Sequence, residues 1–205
     1  MLRVVIGEAA SLCSPQAAAR WLSPALLAQQ PTGPRQASWL AGRIMLAWAI
    51  GTPALPPLGE NQNGKPCLAH DAGLAFNLSH SDGVVALALS DAGEVGCDVE
   101  RIRARRRVQP LAQAIFSDEE QAMLSALPAE ARLPAFWQCW TRREALIKQR
   151  AGTVWELLQT PQSVTASDTV FISDCRWRDL HIAVCASAPY VPLERHLEYL
   201  TPTSL

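Results

Sequence analysis

The sequence is poor in lysine, in long apolar runs and in any excess of one charge, and each shortage excludes a class of protein. Lys65 and Lys148 are the only lysines, and eighteen basic residues against nineteen acidic ones leave a formal net charge of −1. Proteins that coat nucleic acid or membranes normally carry a pronounced basic excess, so we predict that this chain binds neither. No apolar run reaches the roughly 18 residues that a transmembrane helix needs.

Paired cysteines are also missing. The six cysteines are scattered and form no C-x-x-C pair, which argues against a zinc knuckle and against a dithiol redox site. The N-terminus lacks a sustained apolar core leading to a cleavage site, so the sequence predicts no signal peptide. We therefore expect a cytoplasmic protein with free thiols.

The chain does contain enough apolar residues, 49% of 205, for a substantial core in one domain or two small ones. Apolar periodicity and turn residues predict the elements. Helices are predicted at 37–50, 118–127 and 134–150, and strands at 4–6, 74–78, 84–90, 94–99, 164–173 and 180–186. Turn residues at 79–83 and 91–93 predict antiparallel hairpins between the middle three strands. Helices on antiparallel sheets define the α+β class rather than a doubly wound fold.

Two signals mark helix ends. Ser117 and Glu120 have the spacing of a capping box before the second predicted helix. Gly152 follows the third and is predicted to be its C′ glycine.

The first candidate site is the acidic pair in Gly96-Cys97-Asp98-Val99-Glu100. Residues two apart on a strand share a face, so Asp98 and Glu100 are predicted to project together while Cys97 and Val99 face the core. Adjacent carboxylates repel unless a cation lies between them, and Mg²⁺ is commonly held by few carboxylates. The alternative is an acidic pair that merely ends a strand at the surface.

The second candidate lies on the third predicted helix. Spacings of three and four place two tryptophans, a threonine, a carboxylate and an ammonium on one stripe: Trp137, Trp140, Thr141, Glu144 and Lys148. A carboxylate half-buried beside bulky rings needs a partner, either Lys148 or a metal. The alternative is a core helix with an exposed Glu144–Lys148 pair.

Two further segments are rich in polar groups. Residues 76–81, Phe-Asn-Leu-Ser-His-Ser, read as a strand running into a turn whose hydroxyl, imidazole and N–H groups suit a phosphate. The alternative is a plain hairpin turn, and no G-x-S-x-G elbow supports a Ser-His-Asp triad. Five arginines follow the acidic pair and form either a solvated loop or a docking patch for an acidic partner: Arg101, Arg103, Arg105, Arg106 and Arg107.

In this order, the motifs resemble the 4′-phosphopantetheinyl transferase superfamily, specifically its monomeric Sfp-like branch, which includes holo-[acyl-carrier-protein] synthases. The resemblance extends from about residue 35 to residue 152. It rests on A-G-R at 41–43, G-K-P at 64–66, F-N-L-S-H-S at 76–81, G-C-D-V-E at 96–100, F-S-x-x-E at 116–120 and W-T-x-R-E-A-x-x-K at 140–148.

The resemblance implies transfer of 4′-phosphopantetheine from coenzyme A to a serine of an apo acyl or peptidyl carrier protein, with release of adenosine 3′,5′-bisphosphate. It implies that Asp98, Glu100 and Glu144 hold Mg²⁺. It also implies that Glu144 takes the serine proton, directly or through a metal-bound water, and that Lys148 balances phosphate charge. The residues implied in binding coenzyme A are Arg43, Lys65, Ser79, His80, Arg143 and Lys148.

The implied fold is a monomeric pseudo-dimer of two similar α+β halves with the active site in the cleft between them. We expect residues 1–92 to contribute coenzyme A contacts and residues 93–205 to contribute the metal ligands and the catalytic helix. The arginine run then becomes a docking patch for an acidic carrier protein. Two other functions stay open: a Mg²⁺-dependent phosphohydrolase or nuclease, and a non-catalytic module that binds coenzyme A or a carrier.

Overall fold

The computed structural model describes residues 1–61, 64–69, 73–153, 170–189 and 193–205. Its elements follow in chain order, with short 3-10 turns at Leu193–Arg195 and Pro202–Ser204. They are β1 (Leu2–Glu8), α1 (Ala9–Leu12), α2 (Pro15–Trp21), α3 (Pro24–Leu27), α4 (Gln36–Ala49), β2 (Gly59–Glu60), β3 (Pro66–Cys67), β4 (Ala75–Ser81), β5 (Val84–Ser90), β6 (Val95–Arg101), α5 (Val108–Ile115), α6 (Asp118–Ala126), α7 (Ala129–Gln149), β7 (Phe171–Trp177), β8 (Leu180–Ala186) and β9 (Leu197–Tyr199).

Two larger sheets organise the chain, and they confirm the α+β class. The first has the strand order β4-β5-β1-β9 and the second has the order β6-β8-β7. All neighbours are antiparallel except β1 and β9, which are parallel. The predicted hairpin between 84–90 and 94–99 is wrong, because both edges of β5 are already occupied by β1 and β4. Residues 91–93 instead carry the chain from one sheet to the other.

The two sheets face each other across a shared core. Val5 and Leu87 point to one side of the first sheet and pack with α4, whereas Val4 and Ala86 point to the other side, towards β6 and β8. This alternation follows from the period of two along a strand. The first sheet therefore lies between the N-terminal helices and the second sheet.

Helix α7 covers the outer face of the second sheet and approaches β6 closely at Gly96. A Cβ atom on Gly96 would lie 2.1 Å from the carbonyl oxygen of Ala145 and 2.3 Å from the backbone nitrogen of Gln149. Only glycine permits this contact. Because Asp98 and Glu100 share the face of Gly96, the close approach places both carboxylates beside the same helix.

The helix ends match the sequence in part. The capping box is confirmed, since the Ser117 hydroxyl accepts from the Glu120 N–H and the Glu120 carboxylate accepts from the Ser117 N–H. Helix α7 begins five residues earlier than predicted, because residues 129–133 (A-E-A-R-L) are all strong helix formers. Its left-handed C′ residue is Ala151, with φ of 54°, and not the predicted Gly152. The Gly152 N–H closes the helix by donating to the carbonyl of Ile147.

The end of the chain returns to the first sheet, where β9 pairs with β1 and the Trp48 indole donates to the carbonyl of Ser204.

The division at residues 92 and 93 and the pseudo-dimer symmetry remain predictions. The strand predicted at 180–186 is confirmed, whereas residues 164–169 of the strand before it lie outside the described residues. Among the helices that the structure describes, none is both long and apolar enough to cross a membrane.

Candidate active site

The candidate site forms where β4, β6 and α7 meet. The segment 76–81 lies entirely within strand β4, so the predicted turn is wrong there; the turn itself is Asp82–Gly83, with positive φ angles of 43° and 82°. Register decides this difference, because β4 pairs with β5 as far as Ser81 and Val84. Alternate side chains of β4 consequently point to β6 rather than to a free loop.

Lys148 and Asp98 form the centre of the site. The Lys148 ammonium donates to Asp98 Oδ1 at 2.6 Å and to Ser79 Oγ at 3.1 Å, and Ser79 Oγ donates to the same Oδ1 at 2.7 Å. Burial acts to lower the pKa of Lys148, but the charges of Asp98 and Glu144 outweigh it and the pKa lies above its ordinary value. Lys148 is therefore a charged ammonium held among carboxylates.

Glu100 and Glu144 complete the acidic group. Glu144 Oε2 lies 4.0 Å from the Lys148 ammonium, and the side chain is 15% exposed. Burial is the first cause that raises the pKa of each carboxyl, and the neighbouring carboxylates raise them further. As predicted, Asp98 and Glu100 point to one side while Cys97 and Val99 are fully buried on the other.

The site is short of positive charge. Lys148 is the one ammonium that contacts the carboxylates of Asp98 and Glu144 within the described residues. Asp98 Oδ2 is buried and accepts no hydrogen bond from any described group. Such an orphaned carboxylate oxygen is costly unless a cation approaches it. An oxygen-liganded divalent ion fits this deficit, although no three metal-ligating side chains in the described chain converge closely enough to form a ready-made centre.

A second network sets the position of α7. Thr141 Oγ1 lies 2.8 Å from His181 Nδ1, and His181 Nε2 lies 3.3 Å from Asp174 Oδ2. Burial acts to raise the pKa of Asp174, but hydrogen bonds from His181 and Gln138 and the charge of Arg142 hold it below its ordinary value. These bonds fix the helix to β7 and β8 one turn before Glu144.

A cavity of about 320 Å³ lies beside the acidic group. Three of the predicted coenzyme A residues, Arg43, Ser79 and His80, line it together, as does Arg35. Partial burial, followed by the charge of Lys148, lowers the pKa of His80. Sequence reasoning missed Arg35, although its position eight residues before Arg43, close to two helical turns, was an available signal.

Arg43, whose side chain lines this cavity, has a buried donor that is not used within the described residues. Its guanidinium lies 3.8 Å above the ring of Trp39, and its buried Nε has no hydrogen-bond partner among the described residues. Burial lowers the pKa of Arg43 to about 10. A buried cationic donor without a partner suits an anionic ligand.

Two predicted phosphate contacts lie in other surroundings. Lys65 Nζ donates to Glu94 Oε2 at 2.7 Å and to the carbonyl of Val95 at 2.9 Å, beside a separate cavity of about 490 Å³. Arg143 is 3% exposed and binds Glu120, with Nε 3.1 Å from Oε2. The structure thus does not bring these two side chains into the Asp98 cluster, and their contacts with coenzyme A remain predictions.

The arginine run divides into three groups. Arg101 pairs with Asp179 and Arg103 pairs with Asp82 at 2.6 Å. Arg105 lies over the rings of two tryptophans, at 5.1 Å from Trp140 and 5.9 Å from Trp137. Arg106 and Arg107 are exposed and form no ion pair with any part of the chain that is described.

Comparison with known proteins agrees with the geometry. The sequence model of the 4′-phosphopantetheinyl transferase superfamily matches residues 94–185, which include Asp98, Glu100, Glu144 and Lys148. The chain is 43% identical over 190 residues to the 4′-phosphopantetheinyl transferase AcpT of Salmonella typhimurium, covering 93% of this chain and 94% of that protein. It is 40% identical to the AcpT of Escherichia coli K12, covering 93% of each chain. It is also 29% identical over 136 residues to the transferase HetI of Nostoc, covering 62% of this chain and 57% of HetI.

Proposed function

The chain belongs to the 4′-phosphopantetheinyl transferase superfamily, and on that premise we propose how its residues transfer 4′-phosphopantetheine from coenzyme A to an apo carrier protein. The protein is a 4′-phosphopantetheinyl transferase. The observation that carries this conclusion is identity of 40–43% to AcpT enzymes over 93% of the chain. We further propose that it acts as a monomer in the cytoplasm.

We assign the metal site to Asp98, Glu100 and Glu144, with Mg²⁺ as the ion. The support is the buried Oδ2 of Asp98, which has no partner in the described ranges, beside two carboxyls whose pKa values are raised by burial. Bound there, Mg²⁺ would neutralise charge on the pyrophosphate of coenzyme A. Lys148, together with the charge of Arg103 acting on Glu100, leaves an excess of carboxylate that a divalent ion would balance.

Glu144 is the proposed base for the carrier serine. Burial raises the pKa of its carboxyl, and a carboxylate of higher pKa is the stronger proton acceptor. The proton leaves the serine hydroxyl as its oxygen attacks the β-phosphorus of coenzyme A, and the bond to the departing adenosine bisphosphate breaks. Lys148 is proposed to stabilise the charge on that phosphate, since its ammonium is held beside Glu144 by Asp98 and Ser79.

The cavity beside the carboxylates is the proposed site for the 3′-phosphate end of coenzyme A. Arg43 offers a buried donor that no described group binds, and His80 and Arg35 line the same cavity. Ser79 also lines the cavity but already donates to Asp98. Lys65 and Arg143 stay predicted contacts of coenzyme A, although each already pairs with a carboxylate of the chain.

The carrier is proposed to dock on the exposed part of the arginine run. Arg106 and Arg107 are its principal contacts, with Arg105 beside them, because Arg101 and Arg103 are already paired with Asp179 and Asp82. An acidic carrier would be attracted and oriented by these charges. The run follows directly from β6, which bears the proposed metal ligands.

The decisive experiment mixes the protein with coenzyme A, Mg²⁺ and several apo carrier proteins, and mass spectrometry records the carriers. We expect a mass gain equal to phosphopantetheine on at least one carrier. A phosphohydrolase or nuclease would instead turn over its phosphodiester without a carrier, and a binding module would retain coenzyme A with no gain on any carrier. Either result would overturn the proposed reaction.

A further inference from the structure

Three side chains of β4 accept hydrogen bonds from the unpaired edge of β6. Strand β6 pairs with β8 on one side only, so alternate N–H groups on its other side lack a strand partner. Asn77 Oδ1 accepts from the N–H of Cys97 at 2.9 Å, and the hydroxyl of Ser79 accepts from the N–H of Val99 at 3.4 Å. The hydroxyl of Ser81 accepts from the N–H of Arg101 at 3.5 Å.

These three hydrogen bonds from β6 to β4, which form a ladder, fix the direction in which each serine donates. A hydroxyl has one proton, and its lone pairs at Ser79 and Ser81 face the N–H groups of β6. Ser79 therefore donates to Asp98 Oδ1 at 2.7 Å, and Ser81 donates to Glu100 Oε2 at 2.5 Å. One oxygen of each carboxylate is held by a serine, and Asp98 Oδ2 has no hydrogen-bond partner in the described part of the chain.

From this ladder we infer that Ser81 is a positioning residue, which orients Glu100 to bind the divalent ion. The inference rests on the proposed function, since it concerns the same carboxylates. Ser81 is 8% exposed and lines none of the cavity beside Arg43, so it acts through Glu100 rather than on coenzyme A. Groups that hold a metal ligand in this way are worth about 10- to 100-fold in metal affinity.

The test measures Mn²⁺ binding with coenzyme A present, from the electron paramagnetic resonance signal of free Mn²⁺, against a protein-free coenzyme A blank. Ser81→Ala should weaken binding by about 10- to 100-fold, and Ser81→Thr, which retains the hydroxyl, should stay close to wild type. Ser81→Cys keeps the volume but donates weakly, so it should also weaken binding. Ser11→Ala is the matched control, because Ser11 is exposed and its hydroxyl donates to the carbonyl of Glu8.

If Ser81→Ala binds Mn²⁺ as tightly as the wild type, the inference is overturned. If the alanine variant does not fold, the same result in Ser81→Cys overturns it. So would equal losses in Ser81→Thr and Ser81→Ala, which would indicate a packing effect. Wild-type transfer to a carrier is measured in parallel by mass. Transfer by the wild type together with unchanged Mn²⁺ affinity in the variants refutes only the role of Ser81, whereas absence of wild-type transfer refutes the proposed function. A wild-type protein that binds no Mn²⁺ contradicts both the metal assignment and this inference.

Discussion

Adjacent residues of α7, Arg143 and Glu144, enter two charge clusters of different character. Arg143 is buried against Glu120, whose carboxylate also accepts the N–H of Ser117 at the start of α6. The charge of the Arg143 guanidinium is thus balanced by the Glu120 carboxylate, which also accepts a backbone hydrogen bond. On the other side of the helix, Lys148 contacts Asp98 and Glu144, with Glu100 close by. One oxygen of Asp98 has no hydrogen-bond partner among the residues that the structure describes.

The difference distinguishes a structural ion pair from the proposed active site on one helix. Burying charge is tolerable when each group is paired and hydrogen-bonded, as in the Arg143 cluster. A cluster with excess carboxylates is costly for the fold and is kept where chemistry needs a cation or a perturbed proton acceptor. The balance of charge, more than burial, therefore separates the two sides of α7.

The strongest test of the comparison is Glu144→Gln. The amide keeps the shape but cannot take a proton, so we expect transfer to fall by about 10²- to 10⁴-fold. The rate of holo-carrier formation by mass spectrometry measures this loss. Coenzyme A affinity, measured by calorimetry, should remain largely in place. Rapid transfer by this variant would place the base elsewhere.

The second test concerns Glu120 of α6, which pairs with Arg143 on the other side of α7. Glu120→Ala should lower the stability of the protein. It leaves the buried Arg143 guanidinium without its carboxylate and removes half of the capping box, so the free energy of unfolding should fall by about 3–5 kcal/mol. Urea unfolding followed by circular dichroism measures the change. Glu130→Ala is the control, an exposed carboxylate in the first turn of α7 that should cost less than about 1 kcal/mol. Equal losses in both variants would contradict a structural role for the Arg143 cluster.

A third test asks whether the Lys148 position needs a compact ammonium. Lys148→Arg keeps the charge but introduces a planar, larger group between Asp98 and Ser79, so we expect kcat to fall by at least about tenfold, or about 1.4 kcal/mol. Single-turnover kinetics with saturating coenzyme A measure the chemical step. Wild-type turnover would show that the identity of this cation does not matter to catalysis.

The smallest expected effect is on KM for the carrier and concerns the exposed arginines Arg106 and Arg107. The double variant Arg106→Glu, Arg107→Glu should raise KM for the carrier by about two- to thirtyfold, since exposed pairs contribute about 0.2–1 kcal/mol each. Steady-state kinetics at varied carrier concentration measure it, with KM for coenzyme A expected to stay constant. Arg195→Glu supplies the same kind of charge change at another exposed arginine. An equal rise in that control would indicate long-range charge rather than docking.

Much of the site could be predicted from local spacing. A period of two placed Asp98 and Glu100 together, and spacings of three and four placed Glu144 near Lys148. The hairpin from β5 to β6 could not be predicted correctly, because alternation identifies the faces of a strand but not its neighbours. For the same reason the side chains of segment 76–81 were expected in a turn, whereas Ser79 lies on a strand against Asp98.

The sequence by itself determined the α+β class, the acidic pair, the helix that carries Glu144 and Lys148, and the family, because these depend on residue types at short and fixed separations. Tertiary structure alone decided which charges are balanced. Lys65 is bound by Glu94 and Arg143 by Glu120, whereas Arg43 keeps a buried donor without a partner among the described residues. Charge balance depends on groups that are distant in sequence and meet only when the two sheets and α7 pack together.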